Sequence, residues 1–121
     1  MMEVTSSVRW ERFGEHRCLV VAFTGRLEVD EARTKMASIR AALVGVKDPV
    51  AMVWDAAGMT GYDGEARKFW QEGLEELRPR IRAIHLISES KLIRMGASVV
   101  GMFLGVEITS WPSREAVRIA G

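Results

Sequence analysis

The stretch Val50 to Leu77, VAMVWDAAGMTGYDGEARKFWQEGLEEL, decides how the rest of the chain is read. Val50 to Asp55 is a short apolar run of the length and kind expected of a strand covered on both faces. Ala56 to Gly64 carries Gly58, Gly61, Gly64, Thr60 and Asp63, which is turn and cap chemistry and predicts a polar loop. From about Glu65, the residues Ala66, Phe69, Trp70, Gly73, Leu74 and Leu77 recur at helical spacing on one face. A buried strand, a polar loop and a helix N-terminus together make a common place for a site in α/β proteins, because ligands gather at the carboxyl ends of the strands.

On the N-terminal side, Val4, Ser6, Val8 and Trp10 alternate loosely and predict a half-buried edge strand from Val4 to Trp10. Phe13 to Arg17 reads as a turn. Cys18 to Phe23 reads as a more buried strand, hairpin-paired with the first and broken by Thr24-Gly25-Arg26. A helix then begins near Glu28, with acids early and Arg40 late as the helix dipole favours. Val29, Ala32, Met36, Ile39 and Leu43 form its apolar face, Gly45 ends it, and Lys47-Asp48-Pro49 turns the chain into the central strand.

On the C-terminal side, Arg78-Pro79 closes the second helix, since a residue before proline is pushed out of helical geometry. Ile81 to Ile87 is a further buried strand, and Ser88-Glu89-Ser90 caps a third helix from Lys91 to about Leu104. Gly105 to Thr109 reads as a last short strand. Ser110-Trp111-Pro112-Ser113 then opens a final helix with Ala116, Val117 and Ala120 inward. The order β-β-α-β-α-β-α-β-α predicts an α/β fold with a mixed, mostly parallel sheet flanked by helices and joined by right-handed crossovers.

Composition narrows the function. The 121 residues fit a single domain, 1–121, with one core. A net charge of +1 argues against nucleic acid as a partner, and Arg78, Arg80 and Arg82 read as a local balance to Glu72, Glu75 and Glu76. The lone cysteine, Cys18, leaves neither an intramolecular disulfide nor a cysteine zinc site. Neither a signal peptide nor a transmembrane run is visible, so the expected setting is a reducing cytoplasm.

That element order, with a strand ending in Asp55 before a polar loop and an exposed helix, resembles the STAS domain of anti-sigma-factor antagonists and of the ends of sulfate transporters. It is most similar to the free-standing bacterial STAS/SEC14-like proteins. The resemblance implies a regulatory domain without catalysis. In the antagonists it also implies an Asp-Ser pair at the helix start, whose serine a partner kinase phosphorylates. Here the matching aspartates are Asp55 and Asp63, and Gly64 stands where the serine would be, so that switch has no hydroxyl to act on. Thr60 carries a hydroxyl in the same stretch at a different spacing. The preferred reading is that Thr60 and Asp63 cap the loop and the helix.

Catalytic candidates are few. His16 falls in a turn, His85 lies mid-strand, and no carboxylate stands at metal-ligand spacing from either. Cys18 has no histidine partner in sequence, and the glycines of the loop match neither a P-loop nor a dinucleotide fingerprint. The expectation is a non-enzyme with no cofactor and no metal.

Two binding surfaces follow. Asp55, Thr60, Tyr62, Asp63, Arg67 and Trp70 form a candidate partner-binding patch, because Asp63, Arg67 and Trp70 are spaced to share a helix face. The competing reading buries Trp70 and pairs Arg67 with Asp63. The third helix is more apolar than one buried side requires. Lys91, Leu92, Arg94, Met95, Val99, Met102 and Phe103 are therefore expected to face a second subunit, a lipid or apolar ligand, or a membrane surface. The leading expectation is a regulatory domain that binds a protein partner. The alternative is a carrier or sensor of an apolar small molecule or lipid, and a cavity beneath the third helix would favour it.

Overall fold

Gly14 and Glu15 turn the chain between two antiparallel strands, β1 (Val8–Phe13) and β2 (His16–Leu27), with Phe13 paired to His16. Gly14 has φ +65°, the left-handed backbone that a two-residue hairpin turn needs. The computed structural model describes residues 7–120, so the expected strand residues Val4 to Ser6 lie outside the described residues. After β2 the chain alternates helix and strand: α1 (Val29–Ala42), β3 (Val50–Tyr62), α2 (Gly64–Leu77), β4 (Ile81–Ile87), α3 (Lys91–Leu104) and β5 (Ile108–Trp111). A 3₁₀ turn, Arg78–Arg80, follows α2.

The sheet order is β1-β2-β3-β4-β5, with every pair after the first hairpin parallel. Each crossover steps one strand in the same direction, and right-handed crossovers of that kind place α1, α2 and α3 on one face. The packing agrees. Leu19, Val21, Met52, Trp54, Ile84 and Leu86 share a core with Met36 and Ile39 of α1, Trp70 and Leu74 of α2, and Ile93 and Val100 of α3. The opposite strand residues, Cys18, Val20, Ala51, Val53 and Ile87, form a second cluster with Val117 of the C-terminal segment.

The expected α/β fold stands, with four local corrections. First, Ala56 to Tyr62 is strand, not loop. β3 continues past Asp55 and pairs with an equally extended β2, where Thr24 lies opposite Gly58 and Leu27 opposite Tyr62. Two irregularities, at Ala22/Thr24 and Gly25/Arg26, absorb the extra residues of β3. Gly61 leaves room for the Arg26 side chain, since a Cβ there would lie 3.1 Å from the guanidinium. β4 ends opposite Asp55, so residues 56–62 and 24–27 form a two-stranded parallel ribbon beyond the sheet.

Second, Asp63 occupies the N-cap of α2, but its side chain makes no cap bond. It ion-pairs with Arg26 at 2.7 Å and so ties the ribbon to the start of the helix.

Third, no final helix forms among the described residues. A single 3₁₀ turn, Arg114–Ala116, is followed by extended backbone at Val117, with Val117 buried, Ile119 half-buried and Ala120 exposed. The sheet face there is open, and an extended segment with alternating apolar residues covers it. The preceding strand is correspondingly shifted, to Ile108–Trp111.

Fourth, the arginines near α2 serve carbonyl groups. Arg80 donates to the carbonyls of Leu43 and Val46 at 2.6 and 2.7 Å, Arg78 to those of Ile81 and Leu104, and Arg82 to that of Ala120. Leu43 and Leu104 lie at helix C-termini, whose last carbonyls lack intrahelical donors, and Val46 lies in the turn that follows α1.

Candidate functional site

The ribbon, α2 and α3 meet at the carboxyl ends of β3 and β4 and line a partly open apolar cavity of about 50 Å³. Its walls come from five elements: Phe23 and Leu27 of β2, Trp54, Ala56, Met59 and Tyr62 of β3, and Arg67 and Trp70 of α2. Leu86 of β4 and the residues Ile93, Gly96, Ala97 and Val100 of α3 complete the lining. Sequence spacing accounts for the roof, because positions 93, 96, 97 and 100 form one stripe of a helix. Ser90 starts that helix by accepting from the Ile93 amide at 3.2 Å.

Aromatic packing shapes the floor. Trp70 stands edge-on to both Phe23 and Trp54, with ring centroids 5.4 and 5.9 Å apart, a favourable arrangement for aromatic quadrupoles. The indole N–H groups of Trp54 and Trp70 are buried and bond to no acceptor among the described residues. Tyr62 closes one side, and its phenol lies where a side chain at position 96 would be. A Cβ on Gly96 would come within 2.6 Å of the Tyr62 Oη. Glycine at 96 is therefore the condition for this wall.

Lys35 supports the site from behind and was not singled out by the sequence pattern. It lies next to Met36 on the inner face of α1, and its Nζ donates to the Ala22 carbonyl at the first ribbon irregularity, 2.9 Å away. The ammonium also sits 5.4 Å from the Phe23 ring. Burial pushes its pKa down, opposed by the nearby Glu31 carboxylate. The only sequence signal was a lysine inside an apolar stripe.

The residues of the expected partner patch separate in space. Asp55 turns to the opposite sheet face, where it accepts from Arg114 at 3.2 Å and from the Ala57 amide at 3.3 Å. Arg114 also pairs with Glu11 and lies over the Phe13 ring, which fastens the C-terminal segment across the sheet. Trp70 is core. Thr60 is exposed, Asp63 is paired with Arg26, and Arg67 donates to Gln71 at 3.0 Å instead of to Asp63. Thr60, Tyr62, Asp63 and Arg67 remain together, around the ribbon end and the first turn of α2.

The remaining reactive side chains are occupied. Nδ1 of His85 accepts from the Trp111 indole, and burial, then Arg82, lowers its pKa. The Cys18 thiol is buried and burial raises its pKa. No group of three or more potential metal ligands occurs among the described residues, and no helix there is long and apolar enough to cross a membrane.

No protein-family profile matches the chain, and no curated protein matches it. A solved structure does. A protein of the DUF3478 family with a SpoIIAA-like fold, from Shewanella loihica PV-4, superposes with a TM-score of 0.72 over 94% of each chain at 17% sequence identity. The fold is SpoIIAA-like. At that identity the likeness is one of architecture, and it agrees with the STAS-type element order read from the sequence.

Within this SpoIIAA-like frame, α3 has two distinct sides. One roofs the cavity. The other carries Leu92, Met95, Val99, Met102 and Phe103 into solvent, with Met102 82% exposed and Met95 66% exposed. Lys91 is exposed at its start, whereas Arg94 folds back to donate to the Ser88 carbonyl at 2.7 Å and leaves that outer side.

Proposed function

We propose that this is a non-catalytic regulatory domain that senses or carries a small apolar molecule in the cavity beneath α3. The observation that carries this reading is the cavity itself, walled by carbon and placed at the carboxyl ends of parallel strands. Its lining is almost wholly apolar, so water there finds few hydrogen-bond partners and an apolar guest is favoured over it. A guest of a few heavy atoms fits without rearrangement. A longer chain requires α3 to move outward. The glycines of α3, Gly96 and Gly101, lower its intrinsic helix stability and are compatible with such movement.

The absence of catalysis in this reading is supported by how each reactive group is used. Asp55 is held by Arg114, His85 by Trp111, and Cys18 is buried on the far sheet face. A reducing cytoplasm, where Cys18 stays a thiol, is the setting assumed. Gly64, the first residue of α2, offers no hydroxyl, so the signal in this reading is ligand occupancy in place of phosphorylation.

A protein partner is the second element of the proposal. Thr60, Tyr62, Asp63 and Arg67 surround the ribbon end, and Tyr62 and Arg67 also line the cavity. A guest that displaces either side chain alters the surface a partner reads there. The specific support is the Arg26–Asp63 pair, which makes ribbon and helix start one unit.

Xenon tests the cavity. Amide spectra of the protein under xenon pressure are expected to shift at Gly96, Ala97 and the Trp70 indole, and Ala97→Leu, which fills the space, is expected to abolish those shifts. Spectra that stay unchanged in the parent protein would overturn the reading.

A further inference from the structure

The cavity beneath α3 opens on one side, and three of its lining residues frame the opening. Met59, Tyr62 and Arg67 are partly exposed, whereas every other lining residue is buried. Met59 and Tyr62 belong to the ribbon, and Arg67 to the start of α2. A guest that fills the cavity therefore has its outer end beside a guanidinium.

Arg67 is a cation without a counter-ion. Its guanidinium donates to the neutral Gln71 amide oxygen at 3.0 Å. The carboxylate one turn before it, Asp63, is taken by Arg26. Among the described residues no carboxylate forms an ion pair with Arg67. A guanidinium carries five N–H donors in a planar fork, so most of them remain for a ligand. At the rim of an apolar cavity a charge-assisted hydrogen bond is stronger than in open water.

The other polar groups of the lining have the same sense. The Trp54 and Trp70 indole N–H groups can only donate, and both are buried without an acceptor among the described residues. Trp70 stands three residues after Arg67 and so follows it on the same side of α2. Tyr62 adds a phenol, and the lining holds no carboxylate and no carboxamide. A guest that brings acceptor oxygens meets donors here. One that brings an amine or amide N–H finds the phenol oxygen alone among the lining side chains.

Charge selects among acceptors. One guanidinium neutralises the single charge of a carboxylate, and its fork matches the two carboxylate oxygens. A phosphate monoester, with a charge of about −1.5 to −2, would keep part of that charge uncompensated at an apolar rim.

We infer, resting on the cavity reading above, that the guest is a small carboxylic acid bound as its anion, with its apolar body beneath α3 and its carboxylate on Arg67 at the opening.

Butanoate and butanamide, alike in shape, test it. Each is titrated into the full chain while the Gly96 and Ala97 amides and the Trp70 indole are followed by NMR. In the parent protein butanoate is expected to bind about tenfold more tightly than butanamide, a comparison that depends on no variant. Arg67→Gln is expected to remove that preference, and Arg67→Lys, which keeps the charge but not the fork, to retain part of it. Ala97→Leu is expected to abolish butanoate binding. A parent protein that takes up xenon but binds butanoate no better than butanamide, or not at all, overturns the carboxylate assignment and leaves the cavity reading standing. A preference that survives Arg67→Gln, butanoate binding that survives Ala97→Leu, or butyl phosphate bound more tightly than butanoate overturns it as well. If neither xenon nor butanoate moves the reporters, both readings fall.

Discussion

The Trp111 indole N–H donates to Nδ1 of His85 at 2.9 Å, and the two rings stack with centroids 6.1 Å apart. The bond requires a neutral imidazole with its proton on Nε2. Burial, and after it the positive charge of Arg82, holds the His85 pKa below its ordinary value.

Acid therefore weakens the fold through His85. The unfolded chain binds the proton at the ordinary pKa of about 6.5, the folded chain only at a lower pH. The contribution is complete above that ordinary value and is lost as pH falls through it and through the lowered native value. Thermal melts from pH 8 downward are expected to show the decline. His85→Gln, whose side-chain oxygen still accepts, is expected to flatten it at a cost of about 1 kcal/mol at pH 8.

Gly96→Ala drives a methyl into the Tyr62 phenol, since the nearest ring atoms lie 2.6 to 2.8 Å from the new Cβ. The expected loss is about 1–3 kcal/mol, the usual range for overpacking. Combining it with Tyr62→Leu is expected to cost less than the two single losses together. Urea denaturation of the four proteins in this cycle measures the coupling.

Arg114→Ala releases the C-terminal segment from Glu11, Asp55 and Phe13. Val117 shares a cluster with Cys18, so loosening that segment opens the sheet face on which the thiol lies. The Cys18 reaction with a disulfide reagent, slow in the parent protein because the thiol is buried, is expected to accelerate by about tenfold or more in the variant, as the opening free energy falls by about 1.4 kcal/mol or more.

Arg80→Ala leaves the Leu43 and Val46 carbonyls without their shared donor. The cost is expected to be about 1–3 kcal/mol, as for bonds to a charged donor, and Arg80→Lys is expected to recover part of it. Amide exchange in the last turn of α1 should quicken in both variants, more in the alanine one.

Much of this architecture is legible in the residues. β4 and α3 fall where the apolar run of Ile81 to Ile87 and the Ser90 cap place them, because each signal is local and unopposed. The excess apolar surface of α3 is legible for the same reason. The ribbon is not. Gly58, Gly61 and Thr60 carry the composition of a loop, and what makes them strand is pairing with Thr24 to Leu27, a partner more than thirty residues away that local periodicity cannot reveal. The final segment is illegible for a similar reason. Ala116, Val117 and Ala120 suit a helix face, yet the open sheet beneath favours extended chain with Val117 and Ile119 inward. Lys35 was hidden by its type, since its burial depends on the Ala22 carbonyl at the first ribbon irregularity. The cavity draws on five elements at once. No single stretch of sequence announces it, although a space beneath α3 was the feature expected to favour an apolar guest.

The strand order β1-β2-β3-β4-β5 repeats the order of synthesis. As the chain leaves the ribosome, each new strand finds its neighbour already in place at the growing edge, and no crossover waits for a segment not yet made. Loop closure stays short at every step, so the helix-bearing half assembles vectorially with little search. The exception is Arg114, which must reach back to Glu11 and Phe13 near the start. Residues 112–120 thus act as a latch that closes only after translation has passed the final strand, and a nascent chain stalled before it carries a bare, apolar sheet face for chaperones to recognise.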